Sequence, residues 1–133
     1  MDEITVRVET EINLTEDEEK VEKAVANIFG NISKKVKPSY NGSMLNAEAK
    51  GQEALINFRN LLRSDRIRDA ARKVFFGGTR GKTISICLNK QVAFAGHISF
   101  SEEVAESPLG PIRVTIESEN PSQLIDWLAS RTA

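Results

Sequence analysis

Ile4, Val6, Val8 and Ile12 alternate with Thr5, Arg7 and Glu11, the period-two pattern of a strand with one buried face. Thr15 followed by Glu18 spells a capping box, after which Val21, Val25 and Ile28 recur at helical spacing as far as Gly30. Ile32 to Tyr40 alternates less cleanly, with Lys34, Lys35 and Lys37 interleaved and Pro38 near its end, which predicts an edge strand. Asn41-Gly42 turns the chain, and Met44 to Ala49 returns as a short strand. From Gln52 to Phe76 the apolar face switches sides. At about 100° per residue, Leu55, Phe58, Leu61 and Leu62 cluster roughly opposite Ile67, Ala71, Val74 and Phe75. A straight helix cannot bury both sets, so the pattern predicts two helices broken across Arg63-Ser64-Asp65-Arg66, with Ser64 or Asp65 capping the second.

Thr83 to Leu88 and Val92 to Phe100 read as a hairpin. A three-residue loop, Asn89-Lys90-Gln91, pairs Leu88 with Val92 and Ile86 with Phe94, which puts Ile84, Ile86, Leu88, Val92, Phe94 and Ile98 on one face. The other face is then small and polar: Ser85, Cys87, Ala93, Ala95, His97 and Ser99, with Arg113 and Thr115 beside them. After the turn-rich stretch from Glu106 to Pro111, Ile112, Val114 and Ile116 supply one more strand. Asn120 caps and Pro121 starts a last helix that buries Leu124, Ile125 and Leu128. These elements predict an α+β two-layer sandwich, a mostly antiparallel mixed sheet with helices on one face. The bare polar face, poor in charge, predicts a homodimer in which a second copy covers it, with a further helix folded over the face as the alternative.

Length and composition narrow the setting. The 133 residues suit a single domain over 1–133. One cysteine and one histidine exclude a disulfide framework and a cysteine-based zinc cluster. The opening residues Met1-Asp2-Glu3-Ile4 lack a basic segment followed by an apolar one, and no apolar run is long enough to span a bilayer. The expectation is a soluble cytoplasmic protein without a membrane partner. Its net charge of −1 conceals segregation: residues 1–33 carry nine acids and three bases, 34–90 carry thirteen bases and four acids, and 91–133 carry two bases and six acids. A middle segment of +9 can attract a polyanion, unless the acidic ends fold against it and neutralise it.

Candidate chemistry is sparse. Gly77-Gly78-Thr79-Arg80-Gly81-Lys82-Thr83 ends like a phosphate-binding P-loop, but the first glycine belongs at position 76, which is Phe76. A helix precedes it and a strand follows, the reverse of a P-loop. The segment therefore reads as a flexible helix-to-strand loop whose glycines and Arg80 and Lys82 can touch phosphate. His97 has no orienting partner nearby in sequence, Cys87 reads as a buried thiol, and Glu16-Asp17-Glu18-Glu19 suits the first turn of a helix. No catalytic set, cofactor or metal is expected. The strongest signal is basic: Arg59, Arg63, Arg66, Arg68, Arg72 and Lys73, with only Asp65 and Asp69 to pair locally. Arginine holds phosphate in a bidentate grip and stacks on bases, so this cluster, with Lys34, Lys35, Lys37, Arg80 and Lys82, is the candidate RNA-binding set. Tyr40, Phe75 and Phe76 are nearby candidates for base stacking.

Three segments, Arg66-Ile67-Arg68-Asp69-Ala70-Ala71-Arg72, Leu88-Asn89-Lys90-Gln91 and Glu106-Ser107-Pro108-Leu109-Gly110-Pro111-Ile112, resemble an archaeal family of small uncharacterised proteins. That family is described as RNA-binding, sometimes as exosome-associated, with a fold similar to the large-subunit ribosomal protein L-five. The resemblance runs over essentially the whole chain, with Val92 departing from the smaller residue expected there. It implies a mixed two-layer fold and a link to RNA processing or degradation, and it carries no reaction and no set of functional residues. The leading expectation is a non-enzymatic RNA-binding protein. The alternatives are a small-molecule or phosphate-binding enzyme or regulator using the loop at 77–83, and a protein-assembly module.

Overall fold

The computed structural model describes residues 3–30, 32–40, 42–101 and 110–131. The first strand, β1 (Ile4–Asn13), has the predicted alternation: Ile4, Val6, Val8 and Ile12 are buried, and Arg7, Glu9 and Glu11 are exposed. Thr10 falls on the buried face and donates its hydroxyl to the Pro111 carbonyl at 3.1 Å, which satisfies it there. Helix α1 (Glu18–Phe29) is capped by Asp17, whose carboxylate accepts from the Glu19 amide. The expected Thr15–Glu18 box is therefore not the cap. Glu16 sits before the helix and turns inward, accepting from the amide and side chain of Asn13 and from buried Lys90.

β2 (Ser33–Ser39) is the expected edge strand, and β3 (Gly42–Lys50) returns beside it, longer than the alternation predicted. Asn41, half of the predicted turn, lies outside the described residues, as do Glu106 to Leu109 of the predicted turn-rich stretch. After a 3₁₀ turn at Gln52–Leu55 come α2 (Ile56–Ser64) and α3 (Arg68–Gly77), broken where the apolar face switches. Neither Ser64 nor Asp65 caps α3, however. Ile67 stands at its N-terminus without a side-chain cap bond, and Arg66 takes a left-handed φ of 57°. The Asp65 carboxylate instead accepts from the Ile98 amide and pairs with the His97 ring, each at 3.0 Å.

The short strand β4 (Thr79–Arg80) pairs with β5 (Thr83–Leu88) around Gly81-Lys82. Gly81, at φ 61°, supplies the positive φ that a two-residue hairpin turn needs at its first central position. The expected flexible loop is thus an ordered hairpin. Gly78 is required for space, since a Cβ there would stand 2.1 Å from the Ser85 carbonyl oxygen.

The predicted strand Val92–Phe100 is overturned. Asn89 accepts from the Val92 amide at 2.9 Å and caps a short helix, α4 (Lys90–Phe94), whose Ala93 enters the core. The chain regains β5 only at its end, where Leu88 bridges Phe100 and the Asn89 and Ser101 amides bond the Ser99 and Cys87 carbonyls. Ala93, Ala95, His97 and Ser99 therefore do not belong to a sheet face. β6 (Ile112–Ser118) and α5 (Pro121–Leu128) form as predicted, with Asn120 accepting from the Gln123 amide.

The strand order is β2-β3-β1-β6-β5-β4, and every pairing is antiparallel. Inward residues of β1, β3, β5 and β6 meet the helices in one core, threaded by Phe29, Phe58, Phe75 and Phe100 with ring centroids 5.4 to 5.9 Å apart. This is the expected two-layer α+β sandwich with helices on one face. The opposite face carries Arg7, Glu9, Lys35, Lys37, Glu48, Arg113 and Glu117 by strand alternation. A face so charged is the kind that water covers, so the argument for a homodimer from a bare, uncharged sheet loses its premise.

Candidate nucleic-acid interface

The expected RNA-binding set divides into four groups. Arg59, Arg68 and Arg72 all turn to the end of α5. Arg59 Nε donates to the Trp127 carbonyl at 2.8 Å, with its guanidinium 5.1 Å from the Trp127 ring centre. Arg68 donates to the Ser130 hydroxyl at 3.0 Å. Arg72 bonds the Asp126 carboxylate at 2.7 Å and the Ala129 carbonyl at 3.1 Å, while its guanidinium stands 5.4 Å from the Phe76 ring centre. Helix α5 has no basic residue in its own last turn. Its terminal carbonyls carry partial negative charge, and these arginines supply the compensating cations from α2 and α3.

Arg80 and Lys82 form the second group. Arg80 donates to the Gly77 and Thr79 carbonyls at 3.2 and 2.8 Å, and Lys82 pairs with Glu119 at 2.7 Å. The hydrogen bond that Lys82 donates to Glu119, ahead of the Glu119 charge, raises the Lys82 pKa above its ordinary value. Both side chains are exposed, but both already have protein partners, and the turn that carries them runs on into strand β5, not into a helix whose N-terminal amides could receive phosphates.

Arg63, Arg66 and Lys73 are exposed on the helical layer and have no acidic partner among the described residues. They are the cations of the arginine-rich stretch that remain available. The fourth group lies on edge strand β2. Val36 packs toward the core opposite Leu45, so Lys35 and Lys37 alternate onto the open face of the sheet, and Lys34 falls on the helical side. None of the three has an acidic partner among the described residues.

Arg7 and Arg113, which share the open face with Lys35 and Lys37, are not in the expected set, although the alternation of β1 and β6 already marks their positions as polar. Arg7 bonds Glu117 and approaches Glu48 at 3.9 Å, while Arg113 stands 3.7 Å from Glu9. The Glu117 hydrogen bond, then its charge, raises the Arg7 pKa. Between these pairs lies a depression of about 480 Å³ lined by Arg7, Ser33, Lys35, Asn46, Arg113 and Thr115, with Glu9 and Glu48 beside their arginines. Cys87 opens half-buried onto this side, opposite Arg113 in the register, and is not the fully buried thiol expected.

Two other pairs went unforeseen. Lys90, 4% exposed, bonds the Glu11 carbonyl at 2.7 Å and Glu16 at 3.0 Å, tying α4 to the end of β1. His97, expected to lack an oriented partner, has Asp65, 32 residues distant in sequence. The pair ties the α2–α3 break to the segment after α4. No local sequence signal could have joined either pair. Among the described residues, no three His, Cys, Asp or Glu side chains gather as a metal site, and no helix is long and apolar enough to cross a membrane.

A family model described as RNA binding matches residues 5–118. A UPF0201 protein of Sulfurisphaera tokodaii is 44% identical over 126 residues, covering 95% of this chain and 87% of the relative. One from Pyrobaculum calidifontis is 42% identical over 130 residues, covering 96% and 91%. The crystal structure of a UPF0201 protein from Methanococcus jannaschii superposes with a TM-score of 0.81 at 30% identity, over 99% of this chain and 96% of that one.

Proposed function

The chain belongs to the UPF0201 family, matched over most of its length by a model described as RNA binding, and on that premise we propose that it is a non-enzymatic protein that binds RNA through phosphate contacts. The observation that carries this reading is that, of the expected RNA-binding set, Lys34, Lys35, Lys37, Arg63, Arg66 and Lys73 have side chains with neither a hydrogen-bond nor an acidic partner among the described residues. Each is at least partly exposed, so each can exchange a counterion for a phosphate. The alternative of a phosphate-binding enzyme at 77–83 is weakened by the geometry there, a tight hairpin whose Arg80 and Lys82 already hold protein partners.

If about four to six phosphates are neutralised, the logarithm of affinity for a single-stranded RNA oligonucleotide should fall against the logarithm of salt with a slope of roughly −3 to −4. Fluorescence anisotropy across a salt series measures it. Absence of binding at high micromolar protein in low salt would overturn the reading.

A further inference from the structure

Of the aromatic rings, all but one are engaged. Phe29, Phe58, Phe75 and Phe100 stack through the core, Phe76 and Trp127 lie under Arg72 and Arg59, and Phe94 lies 5.5 Å from the Lys23 ammonium. Tyr40 is 97% exposed and meets no ring, cation or hydrogen-bond partner among the described residues. It stands directly after β2, where Ser39 pairs with Gly42 and the chain turns into β3. An aromatic side chain held in water forgoes the burial that normally justifies its area, which makes Tyr40 a surface awaiting a flat partner.

The charge around it specifies that partner. Residues 23–47 contain four lysines and no acid. Lys35 and Lys37, on the open face of β2, lie roughly 7 Å apart along the strand and lead away from Tyr40 toward the depression beside Asn46, Arg113 and Thr115. The acids of that face, Glu9, Glu11, Glu48 and Glu117, lie on β1, the far part of β3, and β6. Glu9, Glu48 and Glu117 each have an arginine in reach. Edge lysines and Pro38 alone would be explained as a guard against strand addition. A guard would not end in an exposed tyrosine, since aromatic residues favour strand pairing.

We propose that the β2–β3 turn is a base-stacking element for single-stranded RNA: an unpaired base stacks on the Tyr40 ring while the neighbouring phosphates bind Lys37 and Lys35. This rests on the RNA-binding reading and adds to it a substrate class, unpaired rather than duplex RNA, because a base within a helix already has both faces covered.

The test compares wild type with Tyr40→Ala and Tyr40→Trp by fluorescence anisotropy, using a ten-residue oligoadenylate, the same oligomer with abasic sugars, and a blunt RNA duplex. Tyr40→Ala should bind oligoadenylate about tenfold more weakly, the loss of one base stack, and Tyr40→Trp should bind as well as wild type or better. Both variants should match wild type on the abasic strand and the duplex. Since Tyr40 is 97% exposed and has no hydrogen-bond, ring or cation partner among the described residues, circular dichroism should be unchanged in all three proteins. Wild-type binding of oligoadenylate with an unaltered Tyr40→Ala affinity would overturn this inference alone. Equal losses on the abasic strand would overturn it too, and absence of any wild-type RNA binding would overturn the broader reading with it.

Discussion

Lys90 and Glu16 show how much a single buried contact decides. The ammonium is held by the Glu11 carbonyl and the Glu16 carboxylate, with 5% and 10% of the Lys90 and Glu16 side chains exposed. Removing one partner of such a pair leaves the other charge desolvated, which costs about 3–5 kcal/mol. Lys90→Ala should therefore lower the stability measured by urea unfolding by about that amount. The double variant Glu16→Gln with Lys90→Met should recover a large part of the loss, because no buried charge then remains. A loss below about 1 kcal/mol in Lys90→Ala would show that water reaches the carboxylate.

Among the elements, those legible in the sequence are the ones long enough to express their period. β1, β6 and α5 alternate or repeat over seven or more residues and formed as read. The break between α2 and α3 was visible because a change of apolar face is itself a periodic signal. α4 was not, since five residues make little more than one turn, and Val92 and Phe94 within it mimic a strand. The one local clue was Asn89, a favoured cap residue three positions before Val92, and the apolar alternation outweighed it. The candidate site was legible as composition and not as geometry. Nothing in the sequence says that Arg59, Arg68 and Arg72 reach a helix 54 to 68 residues downstream. Their engagement makes a prediction at this scale. Arg72→Ala removes two hydrogen bonds from the end of α5 and should lower stability by about 1.5–3 kcal/mol, the worth of hydrogen bonds to a charged group. The salt slope of RNA binding should stay at its wild-type value at a temperature where the variant remains folded. A flattened slope would instead put Arg72 on phosphate.

Over the whole molecule, the acidic ends do fold against the basic middle, but at chosen points. Glu16 takes Lys90, Asp126 takes Arg72 and Glu119 takes Lys82, each joining a terminal third to the central one. Within the expected RNA-binding set, what this neutralisation leaves is two groups, Lys34, Lys35 and Lys37 on β2 and Arg63, Arg66 and Lys73 on the helical layer. At about 0.7 in slope per phosphate on a single strand, six contacts would give roughly 4, the upper end of the expected range. Replacing either trio with alanine should thus flatten the slope by about 2 if all three contact phosphate, whereas Lys82→Ala, a cation already paired, should leave it unchanged. Lys35 and Lys37 lie on the face of the sheet opposite the helices, so a trio that can be removed without effect marks the face the RNA does not cross. If both trios can be removed without changing the slope, the cations left unpaired by the fold are not those that meet RNA.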